Sequence, residues 1–555
     1  MRLRAPVSVV VVALGLSCFL LPLASSLGAQ AAPVAPATRV ARAAKGHILM
    51  SHLRFLADDA LEGRAPGTRG GDISAKYVAA QFERLGLEPA GDHGTYFHHV
   101  PIVALNPSPT LVVRGSRTDT LHYRDDYVLW SMRDDTAVSV TGNIVFAGYG
   151  IVAPEYQWND YDGLDVKERI VVVLVNDPGL RDSTIFRGKI LTYYGRWTYK
   201  IEEAERQGAA GILLVHTTES ATYGWPTVVG SWTGEQVRLA RAPASLQMAG
   251  WVREEVAARY LFPAGEFAKL AERAARRSFK GVTAGPTLSA TVRSTLRRSE
   301  TVNVVGRLPG TGPRAAQAVL IGGHYDHLGI REPVEGDSIY NGAEDNASGT
   351  AAVLTAAEAF VTSGVHPGRS ILFMAFGAEE SGLLGSQAFA ARPTMPLHDL
   401  AAMLNMDVMN LYGTTRDIDA LGLDQSTLGG AFRAAATAEG LRVRVNRAAL
   451  LNGSFFRSDH FSFARVGVPA LSLESGLDYV GHPPDWGQRQ SDEYSDKRYH
   501  QPSDELQPWF APDGALQQLR VILRTAVTIA NATSQPSWLP GSEFKAAGKA
   551  RLMNQ

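Results

Sequence analysis

Four short, continuously apolar runs constrain this chain more than any other feature: Ala318 to Gly323, Ser370 to Phe376, Ala401 to Met406 and Val468 to Leu473. Each has the length of a strand covered on both faces, and none alternates as a half-solvated strand would. Helical periodicity separates them over Ser348 to Phe360, Leu384 to Ala391 and Thr427 to Glu439. The expected fold is α/β, a mixed, largely parallel central sheet between helices. With 555 residues, more than one hydrophobic core is expected.

The polar residues fall at the ends of these runs. His324 and Asp326 follow the first, Glu379 and Glu380 the second, and Asp407 the third. Open α/β sheets bind ligands at the C-terminal ends of their strands. Two adjacent carboxylates at the end of an apolar run repel each other and lose hydration, which is costly unless cations or separate roles relieve it. A dinuclear metal site relieves it when one glutamate ligates and its neighbour takes a proton from activated water. Alone, the Glu379–Glu380 pair reads as a solvated strand end, Asp345 as a helix cap and His500 as a loop histidine.

Read in order, His324-Tyr325-Asp326, Asn341 to Thr350, Gly377 to Gly382, Asn405-Met406-Asp407 and Tyr499-His500 with Asp504 resemble the ordered motifs of the M28 family of co-catalytic zinc metallopeptidases. The resemblance covers Gly46 to about Met132 and Thr301 to Ala532. It implies two zinc ions per chain: His324 and Asp407 on one, Glu380 and His500 on the other, and Asp345 bridging them. It further implies Glu379 as general base, Asp326 as the group that orients His324, and Tyr499 as a hydrogen-bond donor to the developing oxyanion. Oxygen and imidazole ligation suits zinc, and a carboxylate behind a ligating histidine fixes its tautomer. His460 and His482 are expected to be structural, since the implied ligand set is complete without them. Glu344 departs from the pattern, standing where many relatives have a second aspartate.

Between the two halves the texture turns β-rich, with strand candidates Gly142 to Ala147, Arg169 to Val175 and Ala210 to His216 and a helix over Gly195 to Gln207. This block resembles the protease-associated (PA) domain that many members carry as an insertion. The expected organisation is a signal peptide over 1–31, a linker over 32–44, a discontinuous peptidase domain over 45–132 and 291–535, a PA-like insertion over 133–290 and a tail over 536–555. Glu62 to Gly71 is a glycine-rich loop that lacks the terminal Lys-Ser or Lys-Thr of a phosphate loop.

The leader is basic at Arg2 and Arg4, apolar from Val7 to Leu23, and offers Ala29-Gln30-Ala31 as a small-residue cleavage site, so the chain reads as secreted or periplasmic. Its apolar run is too short and broken for a spanning helix, and no stable membrane anchor is expected after cleavage. Cys18 is the single cysteine, so disulfides and thiolate zinc ligands are excluded from the mature chain. A net charge of −1 without long charged runs argues against nucleic-acid binding.

The expected substrates are peptides, cleaved by an exopeptidase, first an aminopeptidase. A carboxypeptidase of the same family and a single-zinc glutaminyl cyclase are the alternatives. A receptor-like binding protein fits less well, because a pure scaffold has no need for a costly carboxylate cluster. No oligomeric state is assigned.

Overall fold

The computed structural model describes residues 34–240 and 245–553, with residues 1, 5, 8 and 9. The cleavage site and Cys18 lie outside the described residues. Residues 1–35 and 36–555 separate into two units, and the architecture below belongs to the second.

That unit opens with helix α1, Pro36–Ala43, which corrects the reading of residues 32–44 as a tether. Alanine and arginine favour helix, and proline in the first turn loses no hydrogen bond. Tertiary contacts then fix the segment. Val40 and Ala41 are buried, Arg39 donates to the Ser363 carbonyl at 2.6 Å, and Arg524 donates to Thr38 Oγ1 at 2.9 Å. Helix α2, Gly46–Leu56, and helix α3, Arg69–Arg84, follow. The glycine-rich loop between them runs straight into α3, where Thr68 Oγ1 accepts from Gly71 N. Gly70 is required by packing, since a Cβ there would stand 1.7 Å from the Leu61 carbonyl oxygen.

Strand β1, Phe97–Arg114, begins a long ribbon. Strands β2 (Tyr127–Ser131), β3 (Ala137–Phe146), β4 (Ile170–Leu174), β5 (Gly211–His216) and β6 (Met248–Arg253) come next, with helix α4, Trp197–Arg206, between β4 and β5. Strand β7, Val282–Leu308, returns antiparallel to β1, from Thr287 opposite Arg114 to Val304 opposite Phe97. Pro107 and Pro109 sit in β1 without disrupting it. There the strand pairs only with β7, its second neighbours being confined to residues 102–105 and 112–114, so the missing N–H groups face an open edge.

The apolar runs then form β8 (Ala318–His324), β9 (Ser370–Phe376), β10 (Leu400–Asn405) and β12 (Ala470–Glu474), with β11 (Asp417–Leu421) intervening. Helix α5, Ser348–Ser363, and helix α6, Pro512–Asn531, cover the sheet. The strand order is β11-β12-β10-β8-β9-β7-β3-β4-β5-β6-β2. Pairing is parallel along β12-β10-β8-β9 and β3-β4-β5-β6, and antiparallel at β7, β11 and β2. This is the expected mixed, largely parallel sheet between helices.

Two-sided burial explains the unbroken apolar runs. In β4, Ile170 and Val172 enter one core cluster while Val171 and Val173 enter another, as a period of two dictates. The first of these clusters also takes in Leu111, Val113, Leu121, Tyr127 and Leu129, so it draws on chain before residue 133. The segment expected as a tail is also docked, which is a second correction. Trp538 is buried and donates from Nε1 to the Gly467 carbonyl, and Arg551, on the helix Lys545–Met553, donates to the Leu397 and Leu400 carbonyls. No helix of the described residues is long and apolar enough to cross a membrane.

Candidate active site

Strand β8 lies between β9 and β10, with His324 in register with Phe376 and Gly322 with Asn405. The three strand ends therefore converge, and the residues just past them face one another. His324 Nε2 lies 3.3 Å from both Asp407 Oδ1 and Asp345 Oδ1, and His500 Nε2 lies 3.3 Å from Asp345 Oδ2 and 3.0 Å from Glu380 Oε2. Asp345 thus stands between two histidines from opposite ends of the domain. Ala378, Val408 and His500 adopt φ of 58°, 59° and 59°, left-handed conformations costing about 1–3 kcal/mol each, beside these polar groups.

The adjacent glutamates are driven apart electrostatically. Burial pushes the Glu379 carboxyl well above the usual range, and the negative charges of Glu380 and Asp407 push the same way against His324. Burial also acts on Glu380, but the neighbouring His500 and His327 outweigh it and hold Glu380 down to about 2. Asp345 is buried too, and the His324 and His500 rings hold it well below the carboxylate range. Neighbours with opposed proton affinities suit an acid–base role and a ligand role.

Asp326 is placed differently from the expectation. Its carboxylate is 3.8 Å from His324 Nδ1, while its main-chain carbonyl is 3.1 Å away, so the hydrogen bond that orients the ring comes from the backbone. The carboxylate instead accepts from the main-chain amides of Glu379 at 3.0 Å and Glu380 at 3.4 Å. Tyr499 stacks on the His500 ring with centroids 3.9 Å apart and is 47% exposed. His460 packs against Phe455 and His482 against Trp486, and neither belongs to a ligand group.

Several further residues complete the site. His327 is buried with Nδ1 2.7 Å from Glu380 Oε1, and it groups with Asp345 and Glu380 as His324 groups with Glu379 and Asp407. Its signal in the sequence was the second histidine three residues after the first. Asp504 accepts from the amides of Glu344 and Asp345 at 2.9 and 3.0 Å, tying the late loop to the Asp345 loop. Glu344 accepts the Tyr412 O–H, shared between its two carboxylate oxygens at 2.7 and 2.8 Å, and lies 3.3 Å from Arg498 Nε. Arg64, from the glycine-rich loop, is buried and donates to the carbonyls of Leu56, Tyr325, Asn341 and Gly342. No local pattern marks Arg64, because three of its four acceptors lie more than 250 residues away.

The donor set fits zinc. His327 Nδ1 and Nε2, Glu380 Oε1 and His500 Nε2 are buried without a hydrogen-bond partner, although His500 Nε2 and His327 Nδ1 lie within 3.0 Å of Glu380 oxygens. Close approach without hydrogen-bond alignment is what ligands directed at a shared cation show, and imidazole with carboxylate is a zinc donor set. A cavity of about 780 Å³ opens over the site. Asp407, Tyr499 and His500 line it together with Arg196, Trp197 and Ser231 from the block between the two halves.

Residues 303–526 match the family model described as Peptidase family M28. Among curated proteins, the leupeptin-inactivating enzyme 1 of Streptomyces exfoliatus is 30% identical over 210 residues, 37% of this chain and 43% of that protein. Leucine aminopeptidase 1 of Ajellomyces capsulatus is 29% identical over 197 residues, 32% of this chain and 47% of that protein. The chain thus spans less than half the length of these curated relatives. Among solved structures, an aminopeptidase from Aneurinibacillus sp. strain AM-1 aligns with a TM-score of 0.46 and 19% identity, covering 90% of this chain and 97% of that one.

Proposed function

We propose, from the match of residues 303–526 to the model of peptidase family M28, that this chain is an exported exopeptidase that uses two zinc ions and removes residues from the amino end of peptides. The observation that carries the reading is the pair of donor groups past the ends of β8, β9 and β10, His324 with Glu379 and Asp407 and His327 with Asp345 and Glu380, with His500 Nε2 3.0 Å from Glu380 Oε2. In this reading His324 and Asp407 hold one ion, Glu380 and His500 the other, and Asp345 contributes to both. His327 stands behind Glu380 and restricts its rotation.

When bound, zinc would acidify water and polarise the scissile carbonyl. The chain's own groups do the rest. Glu379 takes a proton and returns it to the leaving amine, a role that needs a carboxyl whose proton affinity has been raised. Asp326 fixes the main chain of both glutamates, so that Glu379 reaches the proton while Glu380 keeps its ligand position. Tyr499 donates a hydrogen bond to the oxygen of the reacting carbonyl as negative charge develops there. The relatives named as aminopeptidases support the amino-end polarity. The block over 133–290 is proposed as a PA-like insertion that walls the cavity and limits substrate length, a role supported by the lining contributed by Arg196, Trp197 and Ser231.

The test compares one peptide with a free amino terminus and the same peptide acetylated there, using chelated and zinc-reconstituted protein. The free peptide should be cleaved and the acetylated one spared, with two zinc ions retained per chain by elemental analysis. Cleavage of the acetylated peptide alone would overturn the aminopeptidase reading, and a single retained zinc would overturn the two-ion reading.

A further inference from the structure

The same cavity that presents Asp345, Glu379, Glu380 and Asp407 also presents two arginines, Arg196 and Arg457. Arg196 stands immediately before α4 in the intervening block, and Arg457 immediately before Ser458-Asp459. Arg196 is part-buried, and its enclosed Nε donates to nothing among the described residues. Burial and the neighbouring Arg457 guanidinium both pull its pKa down, to about 10. Arg457 is exposed, and among the described residues its Nη2 meets neutral oxygens alone, Thr222 Oγ1 at 3.4 Å and the Asn452 carbonyl at 3.1 Å. Other arginines of the cavity are neutralised: Arg465 pairs with Glu202 at 2.9 Å and Arg444 approaches Asp417 at 3.7 Å.

Two guanidinium groups brought together without a counter-charge repel each other and lose hydration, and an anion between them offsets both costs. The guanidinium fork matches a carboxylate, which it binds through paired charge-assisted hydrogen bonds. A peptide whose amino end lies at the carboxylate-rich part of this cavity carries one obligatory anion, at its other terminus. We propose that Arg196 and Arg457 form an anion subsite that receives the free α-carboxylate of a short peptide substrate. This rests on the aminopeptidase reading and adds a length preference to it, because a fixed pair of arginines can reach the terminus of peptides of one or two lengths only.

The experiment measures kcat/KM of the zinc-loaded protein on a leucine-initiated glycine series of increasing length, each peptide as the free acid and as the C-terminal amide. The free acid should be preferred by about tenfold or more, expressed in KM, at one or two adjacent lengths. Arg196→Gln and Arg457→Gln should each draw that ratio toward one, Arg196→Lys should recover part of it, and the thermal unfolding midpoint controls for folding. Equal cleavage of acids and amides at every length would overturn the subsite while leaving the aminopeptidase reading in place. So would an acid preference that survives the double variant. Failure to cleave any member of the series would overturn both.

Discussion

Replacing Arg64 by methionine keeps most of its apolar stem and removes a guanidinium that donates to four main-chain carbonyls, two of them directly before the Asp345 loop and one at Tyr325, between His324 and Asp326. Burial lowers this arginine to about 10 even though Asp326, Asp504 and Asp345 act against the shift, so it is also the buried counter-charge of the acidic site. A buried acceptor stranded without a donor costs about 1–3 kcal/mol. Breaking a buried charged network costs about 3–5 kcal/mol in total, because the exposed carbonyls relax or gain water. The expected loss of stability is therefore about 3–5 kcal/mol, read as a shift of the urea unfolding curve. Since the same contacts position the chain around His324 and Asp345, zinc affinity should fall by about 10–100-fold, as it does when groups behind metal ligands are removed. Competition with a chromophoric chelator measures it. A variant destabilised as expected but binding zinc as tightly as the parent would show that Arg64 supports the fold without positioning the ligands. A variant with unchanged stability would refute the reasoning altogether.

Other outcomes follow from the same structure. Burial holds His52 down to about 4, against an ordinary 6.5, while its Nδ1 lies 2.8 Å from the Tyr77 hydroxyl. Its folded pKa being depressed, the unfolded chain gains the proton first, and stability falls as pH drops from about 6.5 toward 4, by up to about 3 kcal/mol. His52→Gln should flatten that part of the stability profile, and an unchanged slope would remove His52 as the cause. Trp538→Ala should cost about 3–5 kcal/mol, since the indole is buried against Phe544 and hydrogen-bonded to Gly467. Unaltered urea unfolding in that variant would mean that the C-terminal segment is only loosely attached.

The readable parts of this protein were those whose signal is local. Strands β8, β9 and β10 are written in uninterrupted apolar residues, and the groups that follow them, His324, Glu379, Glu380 and Asp407, converge because adjacent strands end together. What the sequence concealed depends on distant partners. The β1–β7 ribbon carries Pro107 and Pro109, which argue against a strand until the open edge beside them is seen. Helix α1 looks like a tether because Val40 and Ala41 find their packing only against the rest of the domain. Arg64 holds the chain leading into the Asp345 loop from 278 residues away, and no spacing rule would link the two; Asp504 stands in the late motif, but its contact with the Asp345 amide, 159 residues away, is visible only in the fold.

The central claim is that two neighbouring glutamates divide into a base and a ligand. Elemental analysis of zinc retained after dialysis, on Glu379→Gln and Glu380→Gln alongside the parent, tests it most directly. The account predicts two zinc ions per chain in the parent and in Glu379→Gln, the latter with turnover reduced by about 10²–10⁴, and a lost or weakened second ion in Glu380→Gln. Equal retention in both variants, or loss of metal from Glu379→Gln, would contradict it.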